Sequence, residues 1–128
     1  MKHLIEKLEF NKDGHMPAII VDADNGQVLT LCYLTKEALA KTLETTLVHV
    51  FRRSKGRLMI KGETSGHVQH VKEVRIDCEG KSIQIKVKQE VAACHMGYRD
   101  CYFRRYDPQT DAFTITEERV FDPDSVYK

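Results

Sequence analysis

Residues 17–34 read PAIIVDADNGQVLTLCYL. Two apolar runs flank Asn25-Gly26, a dipeptide that takes up the positive backbone angles of a tight turn at little cost, so the stretch predicts a β-hairpin. Working outward, TKEALAKTLETT (35–46) follows. Thr35 is placed to cap a helix, and Ala38, Leu39, Thr42 and Leu43 fall on one face at helical spacing. VHVFRR (48–53), RLMI (57–60) and VQHVKEVRIDC (68–78) read as strands. SIQIKVKQ (82–89) alternates without a break, with Ile83, Ile85 and Val87 on one side and Gln84, Lys86 and Lys88 on the other, the period of a half-buried strand. CYFRRYD (101–107) and AFTITEERVF (112–121) read as two further strands around a PQTD turn. The expected fold is α+β, mostly antiparallel β with one clear helix, in a single domain spanning residues 1–128.

Composition narrows the function classes. Apolar residues make up 41% and charged residues 30% of 128 residues, which suits a globular chain with a core of its own. The net charge of +1 argues against a nucleic-acid binder that relies on bulk charge. No apolar run approaches the roughly 20 residues of a membrane span. The opening MKHLIEKLEF carries two glutamates and no cleavage site, so no signal peptide is expected. The expected setting is the cytoplasm, where cysteines serve as ligands or nucleophiles rather than disulfides.

The stretch VAACHMGYRDC (91–101) concentrates the chemistry. Cys94 and Cys101 bracket a short loop, His95 follows the first of them, and Cys78 ends a predicted strand upstream. Three thiolates and a water would satisfy a tetrahedral zinc ion with one open position. Three unrelated buried thiols would give the same sequence, since no Cys-x-x-Cys pair is present. His95 reads equally as a ligand, a proton shuttle or a structural histidine. Cys32, in the apolar run LTLCYL, reads as a small core residue. Arg52, Arg53, Lys55, Arg57 and Lys61 form a basic segment that runs into KGETSG (61–66). There Gly62, Thr64, Ser65 and Gly66 offer amide and hydroxyl donors suited to a phosphate. A solvated hairpin with a charged turn has the same composition.

Taken together, PAIIVDADNGQVL, KGETSGHVQ, IDC and ACHMGYRDCYF resemble the phosphoribosyl-AMP cyclohydrolase family, over about Pro17 to Phe103. The resemblance implies that Cys78, Cys94 and Cys101 are zinc ligands. It also implies a homodimer in which zinc links the subunits, taking cysteines from both. The implied activity is a step of histidine biosynthesis: hydrolysis of the adenine ring of phosphoribosyl-AMP at the N1–C6 bond, with zinc-bound hydroxide attacking C6. Zinc deaminases attack the same adenine carbon. His95 becomes the expected proton-transfer group. Arg53, Ser54, Lys61, Gly62, Glu63, Thr64, Ser65 and Gly66 become the expected binding residues for the nucleotide's phosphates and ribose.

The chain also departs from that family. Its pattern around the first zinc cysteine is Asp-Cys-Asp-x-Asp, whose aspartates bind magnesium, whereas this chain reads DCEGK (77–81). Asp77 matches, Glu79 is one methylene longer, and Lys81 puts a cation where a third carboxylate would be, so a magnesium site at Asp77 and Glu79 is degraded. Arg52 and Asp100 stand where serines are usual, Met96 replaces a threonine, and the chain has no tryptophan. Two alternatives follow: a paralogue that hydrolyses another purine-like or amidine ring, and a non-catalytic, zinc-stapled dimer that binds a nucleotide.

Overall fold

The computed structural model describes residues 2–52, 56–63, 65–94 and 96–126. The elements, in chain order, are α1 (Lys2–Lys7), β1 (Met16–Asp22), β2 (Val28–Leu34), α2 (Lys36–Thr45), β3 (His49–Arg52), β4 (Arg57–Ile60), β5 (Gln69–Ile76), β6 (Ile83–Gln89), β7 (Arg104–Asp107), β8 (Ala112–Ile115) and α3 (Pro123–Val126). The α+β class and the mostly antiparallel pairing agree with the sequence reading.

The predicted hairpin forms. β1 and β2 pair antiparallel, Ile19 opposite Leu31, with a register shift after Ile20. Gly26, at φ 76°, donates its amide to the Asp22 carbonyl at 2.9 Å and so closes the turn. The predicted helix also forms. The Thr35 hydroxyl accepts from the Ala38 amide at 3.1 Å, satisfying one of the unpaired amides of the first turn. Ala38, Leu39 and Thr42 face inward as the periodicity requires. Thr42 is more than filler: its hydroxyl donates to the Ala38 carbonyl and accepts the His49 amide at 2.9 Å, hooking β3 onto the helix.

A four-stranded sheet in the order β2-β1-β6-β5 carries the core, with β3-β4 and β7-β8 as separate hairpins. Ala18 and Ile20 of β1, Leu29 of β2 and Ile83, Ile85 and Val87 of β6 pack against Ala38 and Leu39 of α2. Two features correct the sequence reading. β1 and β6 pair in parallel, Ile20 opposite Ile85, because the chain crosses over through α2 and the β3-β4 hairpin before β6 returns beside β1. Two short helices join the expected one. α1 has no acidic first turn and buries no residue fully, and it is held by Leu4 and Ile5 against the core and by Glu9 N–H on the Gly80 carbonyl at 2.7 Å. α3 is one turn, begun by Pro123 after Asp122, whose carboxylate accepts the Asp124 amide. Among the described residues no helix is long and apolar enough to cross a membrane.

Candidate active site

A cavity of about 430 Å³ opens between β2, the β3-β4 hairpin and the loop that follows β6. The sheet supplies one wall. Thr30, Leu31, Cys32 and Tyr33 of β2 all line the cavity, and Cys32 also donates to the Ala18 carbonyl. Burial pushes the Cys32 thiol up to about 11. Cys32 therefore packs against the core, as read from the sequence, and its position on the cavity wall is additional.

The glycine loop supplies the opposite wall. Lys61, Gly62, Glu63 and Ser65 all line the cavity. The Lys61 ammonium donates to the Ala93 carbonyl at 3.3 Å, which fixes a cation at the foot of the cysteine loop. Glu63 is held by Arg57, Nη2 to Oε2 at 2.9 Å, so its carboxylate is already partnered. Gly66 closes the loop by donating to the Gly62 carbonyl at 2.7 Å. Arg53, Ser54, Lys55, Thr64 and His95 lie outside the described residues.

The cysteine loop forms the third side. Cys94 N–H donates to the Tyr98 carbonyl and Gly97 N–H to the Cys94 carbonyl. The Met96 amide donates to Cys94 Sγ at 3.4 Å. Cys101 is drawn to the edge of β2 by its amide on the Leu29 carbonyl at 2.7 Å. Burial raises the Cys101 thiol, the Thr30 hydroxyl opposes that shift, and the neighbouring Cys94 sulfur adds to it. Two of the three expected zinc ligands thus lie side by side.

Cys78 lies elsewhere. It is exposed in the turn before β6, whereas Cys94 follows the far end of that strand. Seven residues of strand separate the two ends by roughly 20 Å. Among the described residues no three His, Cys, Asp or Glu side chains converge as a metal would require. The turn around Cys78 is closed by its own hydrogen bonds. Asp77 Oδ1 accepts the amides of Glu79 and Lys81, and Oδ2 accepts the Ser82 hydroxyl at 2.8 Å. The Ser82 hydroxyl and then the Lys81 amide hold the Asp77 carboxyl below its usual range. Lys81 Nζ sits 3.4 Å from Glu79 Oε2.

A polar network that the sequence did not reveal anchors the cysteine loop. The Arg99 guanidinium pairs with the buried Asp22, and Arg99 Nε donates to Gln27 Oε1 at 2.9 Å. Gln27 in turn donates to Asp100, which is 5% exposed and also accepts the Tyr102 amide. Farther in, Gln69 Nε2 donates to Gln89 Oε1 and Gln89 Nε2 to the Arg99 carbonyl, tying the end of the glycine loop to the cysteine loop. Glu117 shares the Asp100 site. Burial, then the Asp100 hydrogen bond and charge, push its carboxyl from 4.5 up to about 7. A carboxyl raised on folding contributes stability fully below about 4.5 and loses it as pH climbs to about 7. Glu117→Gln is therefore expected to raise the melting temperature at pH 8 by about 3 °C and to leave the value at pH 4.5 nearly unchanged, measured by thermal denaturation.

Comparison with known proteins points to one family. The family model described as phosphoribosyl-AMP cyclohydrolase matches residues 30–103, which contain the glycine loop and all three candidate zinc cysteines. A phosphoribosyl-AMP cyclohydrolase of Salinibacter ruber is 44% identical over 98% of this chain and 97% of its own length. That of Haloquadratum walsbyi is 46% identical over 95% of this chain and 89% of its own length. That of Desulforapulum autotrophicum is 49% identical over 95% of this chain and 98% of its own. With such identity running through nearly the whole chain, the chain belongs to the phosphoribosyl-AMP cyclohydrolase family of enzymes.

Proposed function

We propose that this chain hydrolyses phosphoribosyl-AMP, opening the adenine ring between N1 and C6, in a zinc-dependent step of histidine biosynthesis in the cytoplasm. The observation that carries the reading is the shared cavity. Lys61, Gly62, Glu63 and Ser65 stand on one side of it and Cys101, with Cys94 beside it, on another. The loop and Lys61 would seat the anionic, hydroxyl-rich part of the nucleotide. That leaves the purine to face the sulfur pair. Water adds its oxygen at C6, the C6–N1 bond breaks, and N1 takes up a proton. His95 is the proposed proton-transfer group, next in sequence to Cys94.

The donor set suits zinc. Cys94 and Cys101 would hold the ion from one chain and Cys78 from a second copy, which accounts for the exposure of Cys78 in the turn before β6. Bound there, zinc would supply Lewis-acid charge and acidify a water. Two surfaces support a homodimer. Ile19, Leu31 and Tyr33, each 37–47% exposed, form an apolar patch on β1 and β2. The β7-β8 hairpin exposes Phe113 at 65% and Ile115 at 57%, and a two-stranded hairpin is marginal without a surface to pack on. Magnesium has no part in this reading. The oxygens of Asp77 are engaged by the turn, and Lys81 already neutralises Glu79.

One purified sample tests the proposal. Supplied with phosphoribosyl-AMP, it is expected to give the ultraviolet absorbance change of ring opening, to contain zinc, and to lose turnover with a chelator and regain it with added zinc. Metal-free protein indifferent to chelators, or zinc-loaded protein inert towards this nucleotide, would overturn it.

A further inference from the structure

His67 ends the glycine loop, and the reaction proposed for the cavity makes no use of it. It lines the same cavity as Lys61, Ser65 and Cys101. Its backbone is set by its amide on the Ser65 hydroxyl at 3.1 Å. The ring meets Phe121 edge to face, with centroids 4.6 Å apart and planes at 76°. Phe121 comes from a segment more than fifty residues away, and that segment is fastened to the cysteine loop at several points. Val120 N–H donates to the Gly97 carbonyl at 2.8 Å. The Arg119 guanidinium lies 5.6 Å from the centre of the Tyr98 ring, and Tyr98 stacks on Phe103 at 3.8 Å. Gly97, at φ +98°, lets this segment pass so close that a Cβ there would lie 2.6 Å from the Phe121 carbonyl oxygen.

From this juxtaposition we infer that residues 119–121 are a strap that fixes the His67 imidazole against the substrate: His67 contacts the nucleotide, and Phe121 is the positioning residue that aims it. The chemistry of the contact follows from the environment. Desolvation holds the imidazole below its usual pKa, so at neutral pH it offers one N–H and one lone pair and no charge. Such a group matches a ribose hydroxyl or the edge of a purine better than a phosphate, for which Lys61 is the available cation. The inference rests on the nucleotide reading of the cavity and adds to it the means by which the C-terminal segment enters the site. It also explains why the cysteine loop and the glycine loop keep register: one strap touches both.

The test is a double-mutant cycle with a binding arm. Phe121→Ala is expected to lower kcat/KM on phosphoribosyl-AMP by about threefold to tenfold, the worth of an aromatic edge contact. In a His67→Ala background the same change is expected to add less than about twofold, since the group it aims is gone. Phe121→Leu, which keeps the volume, serves if the alanine variant folds poorly, and is expected to show the same loss of coupling. AMP added to the native protein is expected to move the ring-proton resonances of His67, and Phe121→Ala to weaken AMP binding and that shift together. Losses that multiply independently in the double mutant would overturn the strap, and His67 resonances unmoved by saturating AMP would overturn the contact. If AMP shifts His67 while phosphoribosyl-AMP is not turned over, the proposed reaction falls and the strap stands. If AMP does not bind, both fall.

Discussion

Cys94→Ala is expected to lower turnover of phosphoribosyl-AMP by on the order of 10³-fold or more, because the charge stabilisation that a bound metal supplies is worth several kcal/mol. The loss should appear in kcat, with zinc content falling in parallel. The structure gives the reason for singling out Cys94. It is buried, its sulfur accepts the Met96 amide, and it sits beside Cys101, so alanine removes half of the sulfur pair that one chain brings to the site. Cys78→Ala is expected to have the same effect on zinc content, although Cys78 is exposed and distant within the chain. In the proposed two-chain site, mixing inactive Cys94→Ala protein with inactive Cys78→Ala protein should then restore part of the activity, since a mixed dimer would retain one complete set of ligands. A Cys94→Ala protein that keeps a full complement of zinc and normal turnover would rule out this donor set. Cys32→Ala supplies the contrast: its thiol donates to the Ala18 carbonyl within the sheet, and its loss is expected to leave zinc content unchanged.

The elements that local chemistry dictates were legible in the sequence. Asn25-Gly26 marked the first hairpin, Thr35 the start of α2, and the alternation of Ile83, Ile85 and Val87 the central strand β6. The direction of pairing was not legible. Period two is the same for parallel and antiparallel neighbours, so nothing within β6 announces that it lies parallel to β1. Helix α1 escaped notice because tertiary contacts hold it: the chain at Lys7 and Leu8 lies so close against Gly80 that a Cβ there would run into the Lys7 carbonyl oxygen.

The site divided along similar lines. Lys61, Gly62, Glu63 and Ser65 line the cavity. Cys78 and Cys94 are close in sequence, yet β6 runs between them and puts them at opposite ends of a strand. Asp100 read only as a departure from a serine, whereas the fold buries it in a network with Gln27 and Glu117. His67 carried no periodic signal, because its importance comes from Phe121 far along the chain. The signal available for Thr30 and Cys32 was their i, i+2 spacing on a strand, which places both on one face.

Gly62→Ala and Gly66→Ala should differ sharply, although both residues belong to the same short loop and both have positive φ, +89° and +78°. That conformation alone costs an alanine about 1–2 kcal/mol. At Gly66 nothing lies within 4 Å of the place an added methyl would occupy, so the backbone term is the whole effect and a modest drop in melting temperature is expected. At Gly62 a Cβ would lie 2.5 Å from both the carbonyl carbon and oxygen of His67 and 2.8 Å from the Val68 nitrogen. These are backbone atoms and cannot swing aside. The loop must open, carrying Ser65 and the His67 ring away from the cavity and loosening the Gly66 bond to the Gly62 carbonyl. A displacement of about 1 Å at a positioning group costs roughly 10²-fold in rate. Gly62→Ala is therefore expected to lower kcat/KM about a hundredfold while the protein remains folded with zinc bound, and Gly66→Ala to stay within about fivefold of the native value. Steady-state kinetics beside thermal melts and metal analysis on the same three proteins decide it. Equal losses in the two variants would mean that the close approach of Gly62 to His67 has no bearing on substrate binding, and that the loop tolerates a shift the cavity does not feel.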